Sequence, residues 1–173
     1  MNEPVLTSAT ARTLARYNRW QNAGLYEAAG ALDDAARRAD RGAFFGSIHG
    51  TLSHLMWGDR IWMARFAGWE KPHVGLGESA AFMPDWDVMA QTRRVMDDKM
   101  LIWADTLDDA ALAGDLAWFS GALGRDVLRP KALCLLHMFN HQTHHRGQVH
   151  AMLTAAGAGP GDTDLFAMPA DDA

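Results

Sequence analysis

The sequence predicts an all-α protein, a four-helix bundle with a long irregular connection before the last helix. Three observations lead to this fold class. Four long segments carry apolar residues at three- and four-residue steps, the spacing of amphipathic helices. Stretches with the strict alternation of a half-buried β-strand are scarce. The length of 173 residues suits one domain, so we expect a single domain over residues 1–173.

The first long helix is predicted over about residues 7–31, where apolar side chains recur at helical spacing. Ser8 or Thr10 is expected to cap it, because a hydroxyl can accept a hydrogen bond from a free N–H of the first turn. A short helix is predicted over residues 34–40.

The second long helix is predicted to begin near Phe45 or Ser47 and to run to Phe66. Gly68 is its expected end, because glycine readily adopts the left-handed conformation that closes helices. Residues 71–84 contain two glycines and two prolines, which predicts a loop.

The third long helix is predicted from a cap at Asp85 to Thr106, with methionines and a tryptophan on its apolar side. Residues 107–129 are less regular, and their pattern fits either a small hairpin or an irregular loop. Pro130 is expected at a first-turn position of the last helix, which should close near Ala156.

Composition and charge exclude several classes of protein. The net charge of −5 disfavours a nucleic-acid or anionic-membrane partner. No apolar run approaches the about 20 residues that span a bilayer. The first four residues lack the basic and apolar regions of a signal peptide, and the single cysteine excludes a disulfide framework. We therefore expect a cytoplasmic protein with no nucleic-acid and no membrane partner.

Five of the eight histidines lie in residues 137–150, inside the last predicted helix. His137, His141 and His145 follow one another at four-residue steps, so neighbours in this series share one helix face. Neutral imidazole is the commonest metal ligand in proteins, and two imidazoles one turn apart can bind the same divalent ion. The segment predicts a metal site, but the pairs 137/141 and 141/145 are equally spaced, and spacing alone does not choose between them.

A third ligand has to come from another helix, and His49, His54 and His73 are the candidates. His73 lies in the predicted loop and cannot be placed. His49 and His54 are five residues apart, so at most one points inward, and the leucines around His54 favour it. Cys134 lies two turns before His141, about 10 Å along the axis, which is too far to share an ion and predicts core packing.

Three other residues near the candidate ligands carry weaker signals. Gln148 lies on the face of His141 and His145, where it can orient a ligand, line a pocket or make a plain polar core contact. Gly147 would permit the close approach of a neighbouring helix. Asp59 points to a different face from His54 and is predicted to pair with an arginine.

Two stretches resemble the DinB (damage-inducible) superfamily of bacterial cytoplasmic four-helix bundles. They are Leu-Ser-His-Leu-Met-Trp-Gly-Asp-Arg-Ile-Trp at residues 52–62 and Asn-His-Gln-Thr-His-His-Arg-Gly-Gln at residues 140–148. The resemblance implies that His54, His141 and His145 are the metal ligands, with one zinc or nickel ion per chain. It also implies a homodimer. Relatives include mycothiol-dependent maleylpyruvate isomerases and bacillithiol S-transferases, and many members are described as metal-dependent hydrolases.

Three neutral histidine ligands leave a coordination position open, which is typical of catalytic rather than structural sites. The first hypothesis is therefore a metal-dependent enzyme, a thiol S-transferase or a hydrolase, that acts on a small electrophile. Water or a low-molecular-weight thiol would be the nucleophile, and Gln148 the catalytic residue that orients it. The alternative is a non-enzymatic metal-binding stress-response protein whose helices the ion holds together.

Overall fold

The fold was analysed in a computed structural model that describes residues 5–170. The protein is mostly helical, as predicted, and also contains one small antiparallel sheet. None of the helices in this range is long and apolar enough to cross a membrane. The α-helices are α1 (Ser8–Gly30), α2 (Asp34–Arg38), α3 (Ile48–Ala67), α4 (Trp86–Asp105) and α5 (Lys131–Ala155), the strands are β1 (Asp115–Ser120) and β2 (Arg125–Pro130), and 3-10 helices cover Leu76–Ala81 and Leu165–Ala167.

Side-chain caps define where three of the four long helices begin, whereas α5 starts after Pro130 without one. Ser47 caps α3 and Asp85 caps α4, and each side-chain oxygen accepts a hydrogen bond from the backbone N–H three residues on. The cap of α1 is Thr7, whose extended backbone and hydroxyl place it just outside the helix. The prediction of Ser8 or Thr10 as this cap was wrong, since Ser8 and Thr10 already lie inside α1.

The connection before the last helix contains an ordered hairpin, which corrects the prediction of a long irregular connection. β1 pairs antiparallel with β2, with Asp115 opposite Pro130 and Ser120 opposite Arg125. The turn closes at Gly124, whose φ of 63° lies in the left-handed region that favours glycine. Neither strand alternates cleanly between apolar and polar residues, because Phe119 and Leu128 are both exposed. The hairpin is the correct one of the two alternatives.

The long helices pack through two apolar clusters with a polar layer between them. α1 packs against α4 and α5, and α3 packs against α5. One cluster is built around Leu52 and Leu153, and the other around Met63 and Leu135. Along each long helix, buried polar residues stand between the residues of the two clusters. These residues are Asn18 and Asn22 on α1, Asp59 on α3, Arg93 and Asp97 on α4, and Arg146 on α5.

The predicted pairing of Asp59 with an arginine is confirmed within this layer. Arg93 donates from Nη1 to Asp59 at 2.5 Å and from Nη2 to Asp97 at 2.7 Å, and all three side chains are buried. Asn22 donates a further hydrogen bond to Asp97 at 3.0 Å. Burial raises the pKa of Asp97 to about 6, although the guanidinium of Arg93 acts in the opposite direction. Asp59 therefore pairs with Arg93 in the interior of the protein and is not a member of the histidine cluster.

Candidate metal centre

Three histidines from two helices converge on one point. His54 comes from α3, and His141 and His145 come from α5, one helical turn apart. One ring nitrogen of each lies within 4.8 Å of those of the other two. Nε2 of His54 and Nε2 of His141 are 3.1 Å apart, close to the about 3.3 Å between two nitrogens on a tetrahedral zinc ion. The donor set therefore fits a divalent ion such as zinc or nickel.

Hydrogen bonds behind the cluster orient two of the rings. Nδ1 of His54 lies 2.9 Å from Oγ of Ser79, and Nδ1 of His145 lies 2.8 Å from Oε1 of Gln148. If Nδ1 donates in both cases, each Nε2 carries the free lone pair and points to the centre of the cluster. Such outer contacts fix the tautomer and the ring orientation of metal-binding histidines.

Tight packing holds the histidines from two sides. Phe45 stacks on the ring of His54, with centroids 3.8 Å apart and an angle of 20° between the planes. On the other side, α3 approaches His141 at Gly58, where an added Cβ would lie 3.2 Å from Cε1 of the imidazole. Sequence reasoning missed this role of Gly58, although its position one turn after His54 was a usable signal. It assigned the close approach to Gly147, where nothing lies within 4 Å of an added Cβ.

The cluster stands at the wall of a cavity of about 760 Å³. His54 and His141 contribute to this wall, together with apolar side chains of α3 that include Trp57 and Ile61. The hairpin covers the cavity, because Trp118 and Val127 line it from β1 and β2. Residues 74–76, at the start of the first 3-10 helix, complete another side. A small molecule can therefore lie beside the point on which the histidines converge.

The other histidines lie outside the cluster. His137 lines the cavity, but its ring centroid is 6.0 Å from that of His141, and it is not one of the three converging rings. His49 is buried, with Nε2 2.8 Å from the carbonyl oxygen of Met83. His144 is exposed, and His73 packs near Phe82 in the loop. His150 points to the carbonyl oxygen of Gly161, away from the centre.

Gln148 and Cys134 occupy different surroundings from those of the ligand candidates. Gln148 is not on the cavity wall, and its hydrogen bond to His145 positions the imidazole of that residue. Its catalytic role remains a prediction. Cys134 is 4% exposed and lines the cavity, and burial raises the pKa of its thiol. It is not a member of the histidine cluster.

Burial keeps the three histidines in the neutral form that binds metal. Burial, with a smaller contribution from the neighbouring imidazoles, lowers the pKa of His54 to about 3 and that of His141 to about 4. Burial also lowers the pKa of His145. Neutral rings with free lone pairs are what a divalent ion requires, and they are costly to protonate in place.

A comparison with protein families agrees with this geometry. The model of the DinB family matches residues 1–171. The chain belongs to the DinB family. No curated protein is similar enough to match it. The match confirms the resemblance to the DinB family, from which His54, His141 and His145 were predicted as metal ligands. The same three histidines are the ones that converge in the structure.

The first prediction concerns the close approach at Gly58. In Gly58→Ala, the new methyl group would press on the ring of His141 and turn it away from His54. We expect the dissociation constant for zinc to rise by about tenfold or more, as when an orienting contact is lost. Calorimetric titration measures it. Gly147→Ala is the matched control on α5, where an added methyl group meets open space, and it should leave zinc affinity unchanged.

The second prediction concerns pH. The pKa values of His54 and His141 in the folded state lie below the ordinary value of about 6.5 that the unfolded chain has. The unfolded state thus binds more protons as the pH falls below that value, and the metal-free protein should lose stability from there down to about pH 3, the lower of the two pKa values. Urea denaturation at several pH values tests this. In His141→Leu the fall should be clearly smaller, and equal slopes in the two proteins would refute the explanation.

Proposed function

We propose that this DinB-family protein binds one divalent ion, zinc or nickel, through His54, His141 and His145 and is a metal-dependent enzyme. The observation that carries the proposal is the open side of the cluster. Among residues 5–170 the cluster holds three ligand side chains and no fourth, and a cavity adjoins it. A structural site would be closed by a fourth protein ligand.

The proposed reaction is thiol S-transfer to a small electrophile, or hydrolysis of one. An ion held by three neutral imidazoles acts as a Lewis acid and lowers the pKa of a water or thiol that it binds. The protein's own part is to keep the imidazoles neutral and oriented and to exclude bulk water with the apolar cavity wall. Gln148 would act on the same site by holding His145 in the tautomer that binds the ion.

The test combines metal content with turnover. The protein is loaded with zinc or nickel, incubated with a panel of low-molecular-weight thiols and electrophiles, and compared with protein dialysed against a chelator. Metal-dependent formation of a thioether or of a hydrolysed product, followed by mass spectrometry, is the expected result. Equal turnover by the metal-free protein would contradict the enzyme proposal. Metal binding without any turnover would instead favour the non-enzymatic metal-binding stress-response protein.

The third prediction is that the four long helices form a DinB-type four-helix bundle that associates as a homodimer. Val88, Val95 and Ile102 are exposed on α4 at seven-residue spacing, which makes an apolar stripe suited to a second copy. Light scattering should give a mass near twice 19.0 kDa at micromolar concentration. Val95→Glu should shift the mass towards that of one chain, because it would bury a charge. A wild-type mass of one chain would contradict the dimer.

The other proposed properties follow from the same site and the overall charge. We propose a small-molecule substrate, because the cavity is a concave space between the hairpin and α3. We propose no nucleic-acid and no membrane partner, in view of the net charge of −5. A cytoplasmic location accords with the single cysteine and remains part of the proposal.

A further inference from the structure

The cavity beside the histidines has the opposite charge character to the protein as a whole. The chain carries 21 acidic residues against 16 Lys and Arg, yet none of the acidic side chains among residues 5–170 lines this cavity. Its wall includes Arg65 from α3 and Arg129 from β2, besides the histidines. A divalent ion would add two further positive charges. The cavity is therefore electrostatically suited to an anionic molecule.

Arg65 is the arginine best placed to bind an anion. Its guanidinium lies over two aromatic rings, with Cζ 4.4 Å from the centroid of Trp62 and 5.2 Å from that of Trp118. No carboxylate in the described part of the chain pairs with it. Arg60, on the same helix, is instead paired with Glu70 at 2.7 Å. Contact with ring faces leaves the N–H edge of a guanidinium available to a planar acceptor such as a carboxylate.

Arg65 and His54 lie on one face of α3, at opposite ends of the cavity. Their separation of eleven residues corresponds to three helical turns, about 16 Å along the axis and about 20° around it. The guanidinium of Arg65 reaches back over the ring of Trp62, which lies three residues nearer to His54 along the helix. Gly58, Ile61 and Trp62 line the cavity between these two residues. The stretch between the two ends is therefore largely apolar.

We propose that the cavity binds an elongated molecule with an apolar middle and a carboxylate at one end, and that Arg65 holds this carboxylate. The opposite end of the molecule then lies at the histidines. This inference rests on the proposed function and deepens it, since it names the substrate class of the same site. Arg129 is exposed, and its guanidinium already donates to the carbonyl oxygen of Leu128, so it contributes mainly long-range charge.

The experiment compares 4-phenylbutyrate with its neutral amide, 4-phenylbutyramide, by calorimetric titration and by quenching of tryptophan fluorescence. The acid should bind about tenfold more tightly than the amide, because a charged hydrogen-bonded pair forms only with the acid. Added salt should reduce this preference. Arg65→Gln should abolish it, and Arg65→Lys, which keeps the charge, should retain part of it. Arg60→Gln makes the same change of charge outside the cavity and should leave the preference intact.

Titrations of the metal-free and the zinc-loaded protein separate this inference from the proposed function. A preference for the acid that is present without zinc and lost in Arg65→Gln supports the inference, even if the protein proves to bind no zinc or to have no activity. A preference that appears only with zinc and survives in Arg65→Gln would show that the ion binds the carboxylate, and would overturn it. Equal or absent binding of both probes to the folded wild type would also overturn it. Circular dichroism checks that each variant is folded.

Discussion

His141→Ala should lose its bound metal, from about one ion per chain to almost none. His141 lies close to both other members of the cluster, with its Nε2 3.1 Å from that of His54 and its ring centroid 4.5 Å from that of His145. Two remaining imidazoles on different helices make a much weaker site. We expect the dissociation constant to rise by more than the about 10–100-fold that follows loss of an outer contact. His54→Ala and His145→Ala should behave in the same way.

Two control variants make this prediction specific. His137 is one turn before His141 on α5, with the same spacing as His145, but its ring is not part of the cluster. His150 faces Gly161 on another side of the helix. His137→Ala and His150→Ala should both keep the full metal content in elemental analysis of the purified protein. Full metal retained by His141→Ala, or metal lost from His137→Ala, would refute the assigned ligand set.

The part of the site that the sequence could predict is the part that one helix determines. The angle between residues four apart on a helix follows from helical geometry, so the shared face of His137, His141 and His145 could be read directly, although spacing did not choose the pair 141/145 over the pair 137/141. The choice of His54 over His49 needed a tertiary contact, because Nε2 of His49 lies at the carbonyl oxygen of Met83, 34 residues along the chain. Local spacing carries no information about such a partner.

The surroundings of the histidines were less predictable, because distant segments supply them. Ser79 lies 25 residues after His54, in a loop predicted only by its glycines and prolines. Phe45 reaches the ring of His54 from the segment before α3. The hairpin covers the cavity, yet the sequence of β1 does not alternate between apolar and polar residues, because apolar side chains such as Phe119 also stand on its exposed face. The positions of these residues depend on packing between elements, whereas the helix boundaries depend mainly on local caps.

Arg93→Ala should have the largest effect on stability, lowering the free energy of unfolding by about 3–5 kcal/mol. Arg93 forms ion pairs with both Asp59 and Asp97, and the three side chains are at most 4% exposed. Without the guanidinium, two buried carboxylates would lose the charge that is paired with both, and only the weaker influence of Arg146 would remain. Urea denaturation measures the change. Arg94→Ala removes an exposed neighbouring arginine and should change stability by less than about 1 kcal/mol.

The pH dependence of this loss distinguishes unpaired charge from a simple cavity. Burial already raises the pKa of Asp59 and Asp97, and loss of the guanidinium would raise both pKa values further above that of the unfolded chain. The folded variant then binds more protons than its unfolded state as the pH falls from neutrality towards about 4, and this uptake relieves the penalty. The difference in stability between Arg93→Ala and the wild type should therefore be larger at pH 7.5 than at pH 5. A difference independent of pH would mean that the loss of stability comes mainly from the lost volume of the side chain rather than from its charge, because leaving a cavity binds or releases no proton.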